Sequence, residues 1–206
     1  MALMQRRSVL AAGALLLPQR AIAQSRRTLA TGDILRGRFA QERFLHGFDK
    51  PLHATGDFVL VAGRGLIWRG EMPFAMLTVI TPSGLVQQVD GHETMRLPAA
   101  RVPFLSRLYD MFSASLAGNW SLLENQFSVA HSGDDRAWTV TLTPKFDGNA
   151  ASLPIRTVEL KGAAFLDEAR IDKPDGDWDH LLFQNQSIGG APLAAADQAL
   201  LTQGTR

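Results

Sequence analysis

Residues Gly56 to Ser83 read GDFVLVAGRGLIWRGEMPFAMLTVITPS. Gly56 opens an apolar run from Phe58 to Ala62, and Gly63-Arg64-Gly65 turns the chain. Leu66 to Arg69 forms a second run, which Glu71-Met72-Pro73 is expected to break. Phe74 to Thr81 forms a third, stopped at Pro82-Ser83-Gly84. Runs rich in Val, Ile, Phe and Trp, punctuated by Gly and Pro, are the signature of an antiparallel meander. A sheet with one wet face alternates apolar and polar residues. Here Phe58 and Leu60 oppose Val59 and Val61, and Phe74, Met76 and Ile80 oppose Leu77 and Val79, so both faces are apolar. Two readings follow: a sheet covered on both sides by its own core, or a curved sheet whose concave face lines an apolar cavity under a lid.

Upstream, Arg38 to Leu45 reads as a strand, with a turn at Gly47-Phe48-Asp49-Lys50-Pro51 and a short helix expected over Thr28 to Arg36. Downstream, Leu85 to Val89 and Glu93 to Leu97 form a hairpin across Asp90-Gly91, a strong turn pair. Arg101 to Gly118 is the clearest helix. Pro103 is tolerated in its first turn, Gly118 stops it, and Leu105, Leu108, Met111, Phe112 and Leu116 make its apolar stripe. A stripe that packs as core and one that lines a lid look alike in sequence. Asn119 to Asn125 reads as a helical turn. Strands follow at Phe127–Ala130, Ala137–Thr143, Ile155–Lys161, Phe165–Asp172 and Asp179–Gln186, with a loop over Pro144–Pro154 and a terminal helical turn over Pro192–Leu201. Trp138, Val140 and Leu142 alternate with threonines, so one face there is wet.

The chain has 206 residues, enough for one domain with a real core. Met1 to Ala23 reads as a cleavable signal peptide: Arg6-Arg7, an apolar core from Val9 to Leu17, and Ala21-Ile22-Ala23 before Gln24. The paired arginines fit either a twin-arginine or an ordinary Sec signal. The formal charge is +1; loss of Arg6, Arg7 and Arg20 leaves the mature chain, residues 24–206, at −2. That argues against a nucleic-acid partner, which requires a basic face. There is no cysteine, hence no disulfide, thiolate metal site or lipobox. His46, His53, His92, His131 and His180 show no metal-ligand spacing, and no cofactor motif is present. No G-x-S-x-G elbow marks a serine nucleophile. The acidic segment Asp167, Glu168, Asp172, Asp175, Asp177 and Asp179 reads as a solvated hairpin rather than a calcium loop.

The ordered set Gly37-Arg38-Phe39-Ala40-Gln41-Glu42-Arg43, Lys50-Pro51-Leu52, Gly56-Asp57-Phe58, Gly65-Leu66-Ile67-Trp68 and Pro73-Phe74 resembles the LolA family, the periplasmic carriers of outer-membrane lipoproteins. Ile155 to Leu160 and Gly176-Asp177-Trp178 are similar to its late strands. The resemblance implies a mainly β (α+β) fold: an open, incomplete antiparallel β-barrel with a helical lid enclosing a hydrophobic cavity. It implies a carrier, not an enzyme, that shields the acyl chains of a lipoprotein or related lipid between an inner-membrane donor complex and an outer-membrane acceptor, acting as a monomer. Phe58, Leu66, Trp68, Met72, Phe74, Met76 and Ile80 would line the cavity from the sheet. Leu105, Leu108, Phe112 and Leu116 would line it from the lid. Spacing alone establishes only that Leu66 and Trp68 share a face. One departure bears on the lid: carriers of this family commonly hold it with an arginine from an Arg-Pro turn ahead of the strand tryptophan. Here the segment is Val61-Ala62-Gly63-Arg64-Gly65, with no proline after Arg64.

Two other classes of function compete. One is a lipid- or lipoprotein-sensing regulatory module of the envelope. Such modules usually carry a further partner-binding domain, for which the chain leaves no room after Gln203, so a carrier is expected. The other, a small periplasmic hydrolase, lacks a recognisable nucleophile or acid–base set. Export is tested by N-terminal sequencing of the periplasmic form. The expected first residue is Gln24, and an intact Met1 on a membrane-bound product would contradict it.

Overall fold

A computed structural model describes residues 28–101, 104–145 and 155–203, with the side chains of 104–108 left out of the description. The signal segment, Pro103 and most of the Pro144–Pro154 loop lie outside the described residues. The described chain forms β1 (Ile34–Phe44), β2 (Leu52–Val61), β3 (Gly65–Met72), β4 (Met76–Thr81), β5 (Gly84–Val89) and β6 (His92–Pro98). Helix α1 (Phe104–Ala117) and a 3-10 turn, Trp120–Leu123, follow. Then come β7 (Phe127–Asp134), β8 (Ala137–Pro144), β9 (Thr157–Gly162), β10 (Leu166–Asp172), β11 (Trp178–Ile188) and α2 (Ala195–Gln203).

All eleven described strands share one antiparallel sheet, in the order β6-β5-β4-β3-β2-β1-β11-β10-β9-β8-β7. The chain starts in the middle, meanders out to β6, crosses through α1 to the far edge at β7, and meanders back until β11 pairs with β1. β6 and β7 do not pair, so the barrel is incomplete. Ile80 of β4 and Val140 of β8, far apart in strand order, join one apolar cluster with Met111, Ala114 and Leu116 of α1. The sheet is therefore rolled around the helix.

The two apolar faces of the opening meander have different covers. Phe58, Leu60, Leu66 and Ile80 face the concave core with α1. Val59, Val61, Ile67 and Val79 form a second cluster on the outer face with Leu193 and Leu201, the latter from α2. Arg69 fastens that helix, reaching Asp57 at 3.0 Å and pairing with Asp197. Arg36 donates to the carbonyls of Gly189 and Ala191 ahead of it, at 2.8 and 2.9 Å.

Some local expectations change. No helix forms over Thr28–Arg36. Gly32 takes a left-handed φ of 92°, Asp33 accepts the Ala30 N–H, and Ile34 onward extends against Val61. Two neighbouring strands, β2 and β11, offer that segment more hydrogen bonds than a short helix interrupted by glycine could. β3 continues to Met72 before the bend, and β4 starts at Met76 rather than Phe74. The β7–β8 turn falls after Asp134, whose carboxylate accepts the N–H groups of Arg136 and Ala137. The Asp90-Gly91 turn stands as read, with φ of 49° and 80°, the primed-turn signs that suit a two-residue hairpin.

Close approach explains two glycines in the β1–β3 region. A Cβ on Gly37 would lie 2.6 Å from the Phe58 ring, which packs across the ladder. On Gly56 it would overlap the Arg69 carbonyl and come within 2.9 Å of the Phe39 ring. The carbonyl belongs to the β2–β3 ladder and has little room to yield. Gly56→Ala is expected to destabilise the fold by about 1–3 kcal/mol, the cost of overpacking a filled site. A urea midpoint measures this, and an unchanged midpoint would mean that the two strands separate there at no cost.

Candidate functional site

Packing weakens along the first strands toward one end of the sheet. β2 runs from exposed Leu52 and His53 to buried Phe58, Leu60 and Val61, and β3 and β4 show the same gradient. Two chambers occupy the loosely packed end. The larger, about 480 Å³, is lined by Phe39, Leu52, Ala54, Trp68, Met72, Phe74 and Met76, among others. The smaller, about 220 Å³, is lined by Leu66, Thr78, Ile80, Gln87, Phe112, Ile171, Asp179 and Leu181, among others. Gln41, Arg43, Trp68 and Met76 belong to both walls.

Trp68 is held flat against Phe39, their ring centroids 3.9 Å apart, and Phe58 and Phe183 back it at 6.0 and 6.2 Å. Phe112 brings the α1 side of the cavity to within 6.4 Å of the same ring. Leu52, Met72 and Phe74 are each more than half exposed, so the apolar lining continues out to the rim.

Besides the Thr78–Gln87 pair of the smaller chamber, one charged cluster interrupts these walls. Asp179, only 5% exposed, accepts from Arg43 Nε at 2.6 Å and Gln41 Nε2 at 2.7 Å on one oxygen. Its other oxygen meets Lys173 Nζ at 2.7 Å. Burial pushes the carboxyl up, but hydrogen bonds from Lys173 and Arg43, with their charges, outweigh it and hold the group below the ordinary carboxylate range. Asp179 therefore stays ionised at neutral pH and is not part of a solvated hairpin; Asp179, Leu181 and Phe183 share the buried face of β11. His53, on the lining of the larger chamber, stands 3.6 Å from Glu42, and His180 stands 3.2 Å from Glu168. Among the described residues no group of three or more potential metal ligands gathers.

A family model for LolA-like outer membrane lipoprotein carrier proteins matches residues 20–200. The chain belongs to that LolA-like family. Among solved structures it is similar to a LolA superfamily protein from Nitrosomonas europaea, at 10% identity over 82% of this chain and 91% of that one, with a TM-score of 0.43. A putative outer membrane lipoprotein-sorting protein domain from Vibrio parahaemolyticus gives 8% identity, 85% and 94% coverage, and a TM-score of 0.41. MucB of Pseudomonas aeruginosa, solved with MucA, gives 16% identity, 82% and 56% coverage, and a TM-score of 0.34. No curated protein matches the sequence.

In this LolA-like chain, Leu66, Trp68, Met72, Phe74, Met76, Ile80 and Phe112 line the chambers. Phe58 and Leu116 lie behind the wall, packed in the concave core. The side chains of Leu105 and Leu108 lie outside the described residues. Arg64 is exposed in the β2–β3 turn at the opposite end of the sheet, and the arginine on the cavity wall is Arg43. Gln41, Arg43 and Asp179 were not expected at the site. Their signal is period two: Gln41 and Arg43 continue the inward face of Phe39, and Asp179 that of Leu181.

Because its folded pKa lies below the unfolded value of about 3.9, the Asp179 carboxylate contributes stability that is complete above that pH and fades as pH falls through the depressed value. Asp179→Asn is expected to lose about 1–3 kcal/mol at pH 7, leaving two cations with a weaker partner. The deficit should shrink by pH 3. Urea midpoints at the two pH values check this, and an equal deficit at both would remove the charge from the account.

Proposed function

We propose that this protein is a periplasmic carrier. It shields the acyl chains of a lipoprotein or related lipid, takes the cargo from an inner-membrane donor complex, and yields it to an outer-membrane acceptor. It acts as a monomer and is exported by its cleavable signal peptide. The observation that carries this reading is the pair of apolar-walled chambers at the open end of the barrel, continuous with an apolar rim. Each methylene moved from water into such a space contributes about 0.8 kcal/mol. Shielding an acyl chain therefore needs no catalytic group, and this is the reading of a binding protein rather than an enzyme.

In this proposal Trp68 and Met76, on both walls, contact the chain throughout its length. Leu52, Met72 and Phe74 receive it at the rim, while Leu66, Ile80 and Phe112 form the inner end. Phe58 and Leu116 act indirectly by keeping Trp68 and α1 in place. Leu105 and Leu108 extend the same helical stripe toward the start of α1. Release requires α1 to shift, withdrawing Met111, Leu116 and Phe112 from the concave core.

A brominated long-chain acyl probe tests the binding. It should quench wild-type emission and lose most of its effect in Trp68→Phe, since Trp120 and Trp138 pair with each other away from both chambers and Trp178 stacks on Phe44. Met76→Glu should weaken binding about tenfold or more by placing a charge in the apolar wall. Acceleration of probe transfer between donor and acceptor vesicles separates a carrier from a sensor. Absence of binding at micromolar concentrations would end the proposal.

A further inference from the structure

The polar cluster on the cavity wall is not electrically balanced. Asp179 carries one negative charge, and Arg43 and Lys173 each approach it with a positive one. Its oxygens are taken: one by Gln41 and Arg43 Nε, the other by Lys173. Asp179 is also the single carboxylate among the residues lining the two chambers. Among the described residues the two terminal guanidinium nitrogens of Arg43 have no protein partner. The Arg43 side chain is 48% accessible and stands on the wall common to both chambers, so its unused donors have open space beside them. Nothing from the described part of α1 latches onto it; the helix offers this cavity Phe112.

Half exposed, the free nitrogens of Arg43 are open to water in the empty chamber, and a ligand that displaces that water must replace its hydrogen bonds; a guanidinium suits the paired oxygens of a carboxylate or phosphate. We infer that the cavity selects an amphiphile with an anionic head, whose oxygens accept hydrogen bonds from the terminal nitrogens of Arg43 while its alkyl chain lies along Phe39, Trp68, Met72 and Phe74. The inference rests on the carrier reading and narrows it: the preferred cargo carries a carboxylate or a phosphate next to its acyl chain. A neutral head leaves the excess positive charge uncompensated. Gln41, fixed by Asp179, and Lys173, on the far oxygen, hold the carboxylate so that Arg43 is braced through Nε with its fork free.

The test is competitive displacement of a fluorescent long-chain acyl probe at pH 8 by hexadecanoate, hexadecyl phosphate and hexadecanol, each below its aggregation concentration. Both anions should displace the probe at about tenfold lower concentration than the alcohol or better, the scale of one charge-assisted hydrogen-bonded pair. Which anion is stronger distinguishes a fatty-acid head from a phosphate head. In Arg43→Gln the ratio of anion to alcohol should collapse toward one. Arg43→Lys, a point charge without the fork, should keep part of it. Equal displacement by all three in the wild type, with the probe bound, would overturn the head assignment and leave the carrier reading standing. So would a preference that survives Arg43→Gln intact. Failure of the probe itself to bind would remove both. If Arg43→Gln does not fold, the wild-type ratio and Arg43→Lys decide the matter.

Discussion

A ribbon of three strands that is apolar on both faces has to be covered on both faces, and most of this architecture answers that demand. Val59, Val61, Ile67 and Val79 would be exposed without the segment that runs from Leu193 into α2. Leu66 and Ile80, on the strands that α1 packs against, share a concave cluster with that helix. The first requirement sends the end of the chain across the outside of the sheet, where Arg69 pairs with Asp197. The second sends the link between the two edge strands through the inside. β6 and β7 do not pair, and the sheet stays open between them. Cover is complete only at one end of the ribbon. Where it stops, the same apolar side chains change role from core to wall, and the chambers begin.

A charged group in such a wall needs strong local compensation. The Asp179 carboxylate is nearly inaccessible, yet three donors from two segments, β1 and the turn before β11, converge on it. Replacement of such a cluster by well-packed apolar residues is often neutral or stabilising in proteins, so stability alone is a weak reason for having it. Its geometric effect is clearer. It fixes β1, β11 and the turn before β11 against one another at the open end, where apolar packing is thinnest.

Much of this architecture is legible in the sequence. The doubled apolar pattern of Phe58 to Val61 already demanded two covers, and the Asp90-Gly91 and Gly63–Gly65 turns fixed the meander. The stripe from Leu105 to Leu116 marked the helix, but left core packing and a lid as equal readings of it. Local pattern failed where long-range partners decide. Ile34 to Arg36 reads as the end of a helix until β2 and β11 are known to flank it. Core and cavity wall were also indistinguishable in sequence: Phe58 and Trp68 share a face and touch, yet one is sealed and the other borders open space. That difference depends on how far α1 reaches, which no spacing rule encodes. Asp179 was hidden by its company, since a run of aspartates suggests a wet turn while the inward period of Leu181 and Phe183 places this one inside.

The ladder between β1 and β11 sets the order in which the molecule can assemble. Every other ladder joins strands that follow one another in the chain, so each meander can form from nearby residues. Among the described residues only this one spans the sequence, bringing Arg43 to Asp179 across 136 residues. Contacts of such separation form late, because the loop they close is long. Until they form, β1 is a bare edge with Leu35 and Phe39 uncovered, a template for pairing with other chains. Both walls of the smaller chamber, one from each meander, meet only at that moment. The smaller chamber is thus complete only when the two meanders have paired.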